Sequence, residues 1–74
     1  MARDVEIRGD MIRLGQLLKL VDMVDGGGEV KDFLAAVEVY VNGEREERRG
    51  RQLHPGDIVR VRAEELQLVA RPAR

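Results

Sequence analysis

Residues 37–61, VEVYVNGEREERRGRQLHPGDIVRV, constrain the architecture of this chain more than any other stretch. Val37, Val39 and Val41 fall on one face and Glu38 and Tyr40 on the other, the two-residue period of a half-buried strand. Asn42-Gly43 follows, and a tight hairpin needs positive φ at both central residues, which this pair tolerates. Beyond a segment carrying Arg45, Arg48, Arg49 and Arg51, the sequence His54-Pro55-Gly56-Asp57 turns the chain again. A second alternating strand then sets Val59 and Val61 inward, with Ile58, Arg60 and Arg62 outward. The spacing predicts a small antiparallel sheet with a basic loop fixed between two strands, and that loop is the clue to function.

The chain has 74 residues. A domain of this size buries roughly 60% of its unfolded surface, so a deep catalytic cleft would consume most of what holds it together. One domain over residues 1–74 is therefore expected, with a core at 12–62 and flanking strands near 4–8 and 66–70. Thirteen basic and fourteen acidic residues give a net charge of −1, so only the distribution of charge can point to a nucleic-acid partner. Cysteine is absent, which excludes disulfides, thiol catalysis and thiolate metal sites. The opening MARDVEIRGD lacks the apolar core of a signal peptide, and no run approaches a membrane span, so a soluble cytoplasmic protein is expected. Phe33 and Tyr40 are the only aromatics, too few for a base-stacking platform.

Along the chain, Val5-Glu6-Ile7 alternates as a short edge strand. From Ile12 the period changes: Leu14, Leu17, Leu18, Val21 and Val24 follow helical spacing, with Gln16, Lys19 and Asp22 opposite. Arg13 stands at the start of this helix, where its charge opposes the helix dipole. Gly26-Gly27-Gly28 is expected to end the first helix and admit the second. A phosphate cradle there is disfavoured by Glu29, and no Gly-Lys-Ser/Thr follows. The second helix is expected over about 29–36, with Val30, Phe33 and Leu34 inward and Lys31 and Asp32 outward. Leu66, Leu68 and Val69 are expected to form a closing strand beside Val5-Ile7, and Arg71 to Arg74 a frayed tail.

Taken in order, a helix pair, a strand ending in Val-Asn-Gly, an arginine-rich turn and Gly-Asp-x-Val-x-Val resemble an S4 domain, the small RNA-binding module first recognised in ribosomal protein S4. LGQLLKL, the GGxxK opening of helix two and VNGExExRRGRxLxxGDxV are similar to stand-alone bacterial S4 proteins of the YaaA and YbcJ kind. The resemblance covers roughly residues 12–62. It implies an α+β fold of the S4 αL type, two short N-terminal helices packed on a small antiparallel sheet of three to five strands, forming an L-shaped RNA platform. It also implies a non-catalytic RNA-binding role, with ribosomal RNA first and tRNA second, the ribosomal particle as partner, and work in ribosome assembly. Two departures from the family's pattern stand out: Gly26-Gly27 where Ser-Arg is frequent, and Gly15 where Asp is frequent.

The residues expected to contact RNA are Arg13, Lys19, Lys31, Asn42, Arg45, Arg48, Arg49 and Arg51. Arginine's planar fork suits phosphate oxygens bidentately. Glu44, Glu46 and Glu47 interleave with the loop arginines, so residues 42–51 net only +1, and a self-compensating solvated loop is the competing interpretation. Asp4, Glu6, Asp10, Glu64 and Glu65 are expected on the reverse face. Against an enzyme stand a single histidine, His54, in a turn, and the lack of any Ser, Thr or Cys nucleophile. No cofactor, metal or small-molecule substrate is expected. The alternative is a protein-interaction module using the Tyr40 face, or strand addition at a sheet edge at Leu66 to Val69.

Overall fold

The structure, a computed structural model, describes residues 2–25 and 27–71. Its elements run β1 (Ala2–Ile7), β2 (Ile12–Arg13), α1 (Leu14–Leu20), α2 (Gly27–Ala36), β3 (Val39–Val41), β4 (Glu44–Arg45), β5 (Gln52–Leu53), β6 (Ile58–Val61) and β7 (Glu64–Ala70). Five strands form one sheet in the order β1-β7-β6-β3-β4, and β2 pairs with β5 in a second, two-residue ladder. The chain is thus α+β. The helices do not open it, since β1 and β2 precede them.

The sheet is mixed and not purely antiparallel as expected. β1 runs parallel to β7, from Ala2 opposite Glu65 to Ile7 opposite Ala70. Parallel neighbours need a long crossover, and here the helix pair and the arginine loop supply it. The closing strand does lie beside residues 5–7, but this places β7 between β1 and β6. Leu66 to Val69 therefore offer no free edge, which removes the strand-addition site proposed there. Residues 72–74, most of the expected tail, lie outside the described residues, while the Arg71 amide still donates to the Ile7 carbonyl at 3.3 Å.

The inward valines and leucines of the sheet meet Leu14, Leu17, Leu18, Val30 and Leu34 of the helices in one buried cluster. Helical spacing overran the first helix. It ends at Leu20 because Asp22 adopts a left-handed φ of 62°. The Met23 amide then donates to the Leu18 carbonyl at 2.9 Å and the Asp22 amide to the Lys19 carbonyl at 3.1 Å, the bonds of a Schellman cap. Val21 and Val24 still enter the core, but from the connection. Gly27 and Gly28 are correspondingly inside α2 and do not end α1. Arg62, in the β6–β7 turn, reaches over the Phe33 ring of α2 at 5.4 Å.

Both turns flagged in the sequence form, and they are bolted together. Asn42 takes φ 52° and Gly43 φ 87°. The Asn42 side-chain amide donates to Asp57 Oδ1 at 3.1 Å, and its oxygen accepts the Ile58 amide at 3.0 Å. Asp57 Oδ2 accepts the His54 amide at 2.8 Å, closing the second turn. Burial pushes the Asp57 carboxyl up, but the His54 and Asn42 hydrogen bonds and the nearby charges of His54 and Arg51 outweigh it and hold the group below its ordinary value. Asn42→Ala removes both side-chain bonds and leaves a methyl group at a left-handed position, so it is expected to cost about 2 kcal/mol in a urea titration. A loss below about 0.5 kcal/mol, the range of ordinary surface changes, would contradict this bolt.

Candidate nucleic-acid interface

The arginine loop is seated on the start of α1. Arg13 pairs with Gln52 and Ile12 with Leu53, so the β2–β5 ladder carries the loop's far end to the helix. The first N–H groups of a helix have no partner within it. Here the Leu14 amide donates to the Arg51 carbonyl and the Gly15 amide to the Arg49 carbonyl, both at 2.9 Å. Loop backbone thus caps α1, with the Gln16 side chain accepting the Arg13 amide at 3.2 Å. Arg13 Nη1 donates to the Gly50 carbonyl at 3.1 Å, tying the same loop from the other side.

One buried carboxylate shapes that loop. Glu46 is only 5% exposed. It accepts the amides of Glu47 and Arg48 at 3.1 and 3.0 Å, Arg48 Nε and Nη2 at 3.0 and 3.2 Å, and Arg51 Nη1 at 2.8 Å. A buried charge is tolerated only when paired and hydrogen-bonded, and this one meets both conditions. The Arg48 side-chain bond leads the contributions that hold the Glu46 carboxyl at about 2, against the opposing effect of burial, with the Arg51 bond adding to it. The sequence marks Glu46 only as one of three interleaved glutamates and does not single out its burial, yet the register contains it. An Asn-Gly hairpin sets Val41 opposite Glu44 and Tyr40 opposite Arg45, and the next step brings the Glu46 amide to the Val39 carbonyl at 2.8 Å, on an inward face.

The eight expected contact residues divide. Arg13, Lys19 and Arg49 line one shallow depression of about 270 Å³, floored by Gly15 and Val30 and containing no carboxylate. Arg48 and Arg51 line a second with His54, and Gly50 borders both. Lys31 is exposed on α2, beside Val30, without lining either. Asn42 and Arg45 also lie outside both. The Asn42 amide serves the turns, and Arg45 faces Glu47 at 3.5 Å and Glu38 at 3.9 Å. Asp4, Glu6 and Glu65 do share the outer face of the sheet, but Arg60 stands directly opposite Glu65 there. That reverse face is mixed in charge, not purely acidic.

The sequence profile described as S4 domain matches residues 5–69. The chain belongs to the S4 domain family. A Bacillus subtilis (strain 168) protein named "Probable ribosome maturation protein RlbA" is 49% identical over 61 residues, spanning 82% of this chain and 86% of that protein. Within this S4 domain the departure at Gly15 has a packing reason. A Cβ there would come within 3.3 Å of Val30 Cγ1 and 3.4 Å of Arg49 Cβ, so the close approach of loop and helix favours glycine.

Acid should loosen the loop in this S4 domain in a defined window. Because the Glu46 carboxyl is depressed from 4.5 to about 2, its contribution to stability is complete above about pH 4.5 and is lost as pH falls toward about 2. Asp57, also depressed, acts in the same direction. Glu46→Gln is expected to cost roughly 1–3 kcal/mol at neutral pH and to flatten this acid limb in thermal melts, leaving the part due to Asp57. An unaltered acid limb in the variant would contradict the assignment.

Proposed function

We propose that this S4 domain binds structured RNA through the face formed by the start of α1, α2 and the loop at 46–51. The observation that carries the proposal is the carboxylate-free depression where Arg13, Lys19 and Arg49 meet. Arg13 ends β2, Lys19 lies on α1 and Arg49 comes from the loop, whose backbone accepts the Leu14 and Gly15 amides and the Arg13 guanidinium. Such an arrangement suits phosphate oxygens arriving from one direction. Phe33 and Tyr40, both half-buried, leave no aromatic platform, so shape and phosphate contact dominate over stacking. The relative's name, a ribosome maturation protein, supports ribosomal RNA as the ligand and the assembling ribosomal particle as the partner. No helix among the described residues is long and apolar enough to cross a membrane. The role is binding, and the cytoplasm is where ribosomal RNA would be met.

Salt dependence separates a cationic dock from incidental charge. Each phosphate neutralised contributes about −0.7 to −0.9 to the slope of log affinity against log salt. Lys19 and Arg49 make no ion pair with described residues, so the double change Lys19→Ala with Arg49→Ala should leave folding intact. It should reduce the magnitude of the slope by about 1.4 to 1.8 and weaken binding to ribosomal RNA fragments across sequences. Arg45→Ala should change neither quantity. Equal effects from Arg45→Ala and the double variant, measured by fluorescence anisotropy, would refute the location of the face.

A further inference from the structure

We propose that a second depression beside this dock receives one unpaired nucleotide, so that the preferred RNA is a helix carrying a bulged or flipped-out base. The proposal rests on the RNA-binding role above and extends it to a class of ligand. The depression measures about 600 Å³ and lies between the end of β1, the turn at 8–11 and α1. It adjoins the first, because Gln16 and Lys19 line both. A strand of RNA whose phosphates lie on Arg13, Lys19 and Arg49 therefore passes its rim.

The lining has two parts, and the chemistry of a nucleotide matches both. Met11 and Leu20 are 36% and 53% exposed, two of the three large apolar side chains left open to solvent among the described residues, and Ile12 lies between them in the same wall. A base taken out of its stack is held between apolar side chains as well as aromatic ones. Around that apolar surface stand Arg8, Lys19 and Arg71, opposed by a single carboxylate, Glu6. Cations at the rim of an apolar slot suit a ring whose own phosphates stay at the edge. The Gln16 oxygen is taken by the Arg13 amide, but its N–H₂ group donates to no described residue and remains for a base edge. A neutral apolar protein segment would meet the apolar wall equally well, but nothing in it would draw it on into the carboxylate-free dock.

The test compares a short fully paired RNA stem-loop with the same stem-loop carrying one unpaired adenosine, titrated by anisotropy at low salt. The wild-type protein should bind the bulged RNA about tenfold tighter, the worth of one base contact. Met11→Ala with Leu20→Ala, both exposed positions, should erase that preference while leaving affinity for the paired stem-loop unchanged. Arg49→Ala should weaken both RNAs equally and keep the preference. Equal binding of the two RNAs by wild type, or a preference that survives in the Met11/Leu20 variant, would overturn the nucleotide site and leave the dock standing. Failure of wild type to bind either RNA would overturn both. A concentration-dependent dimer seen in gel filtration and abolished by the same double variant would assign the patch to a protein contact and also overturn the nucleotide site.

Discussion

The Glu46 carboxylate is the constraint from which the shape of the arginine loop, and with it the proposed RNA face, follows. It sits at an inward register position opposite a core valine, where a charge is costly to bury. Its two oxygens escape that cost by gathering two backbone amides and two guanidinium groups, all from the five residues that follow it. Drawing those donors inward folds the loop back on itself and turns the carbonyls of Arg49 and Arg51 toward α1. An apolar replacement of equal volume, often harmless at buried ion pairs, would here strand backbone amides as well as arginines.

The same carboxylate explains how a nearly neutral molecule presents a cationic surface. The loop's charges nearly cancel in the sequence, netting +1, but they do not cancel evenly in space. Glu46 is consumed by Arg48 and Arg51 from below, and Glu38 and Glu47 face Arg45 to one side. What is left toward α1 is Arg49, beside Arg13 and Lys19, with no acidic side chain among them. The idea of a self-compensating loop is therefore correct for three of its arginines and incorrect for the one that meets the helix. Arg48 keeps its side chain 77% exposed, so its pairing with Glu46 does not withdraw it from solvent.

Much of this was legible in the sequence. Two-residue alternation placed Val39, Val41, Val59 and Val61 correctly, since each is fully buried, and Asn42-Gly43 set the hairpin register. Periodicity could not see where α1 stops, because a left-handed Asp22 ends it while Val21 and Val24 keep the helical spacing by packing from the connection. The β6–β7 turn carried no Gly or Asn signal, since Arg62 itself takes φ 58°. Nor does an alternating pattern reveal strand direction, so the parallel pairing of β1 with β7 was invisible. Glu46 was within reach by counting from the Asn-Gly turn. The β2–β5 ladder was not, because two residues a side leave no period to detect.

Amide hydrogen exchange at Leu14 and Gly15 reports most directly on whether Glu46 holds the loop against the helix. In the wild-type protein these two amides should exchange slowly, because the Arg51 and Arg49 carbonyls accept them. In Glu46→Gln they should lose protection selectively, while the amides of Val41 and Val59 in the sheet keep theirs. Unchanged protection at Leu14 and Gly15 in the variant would contradict the account, and so would uniform loss across the sheet.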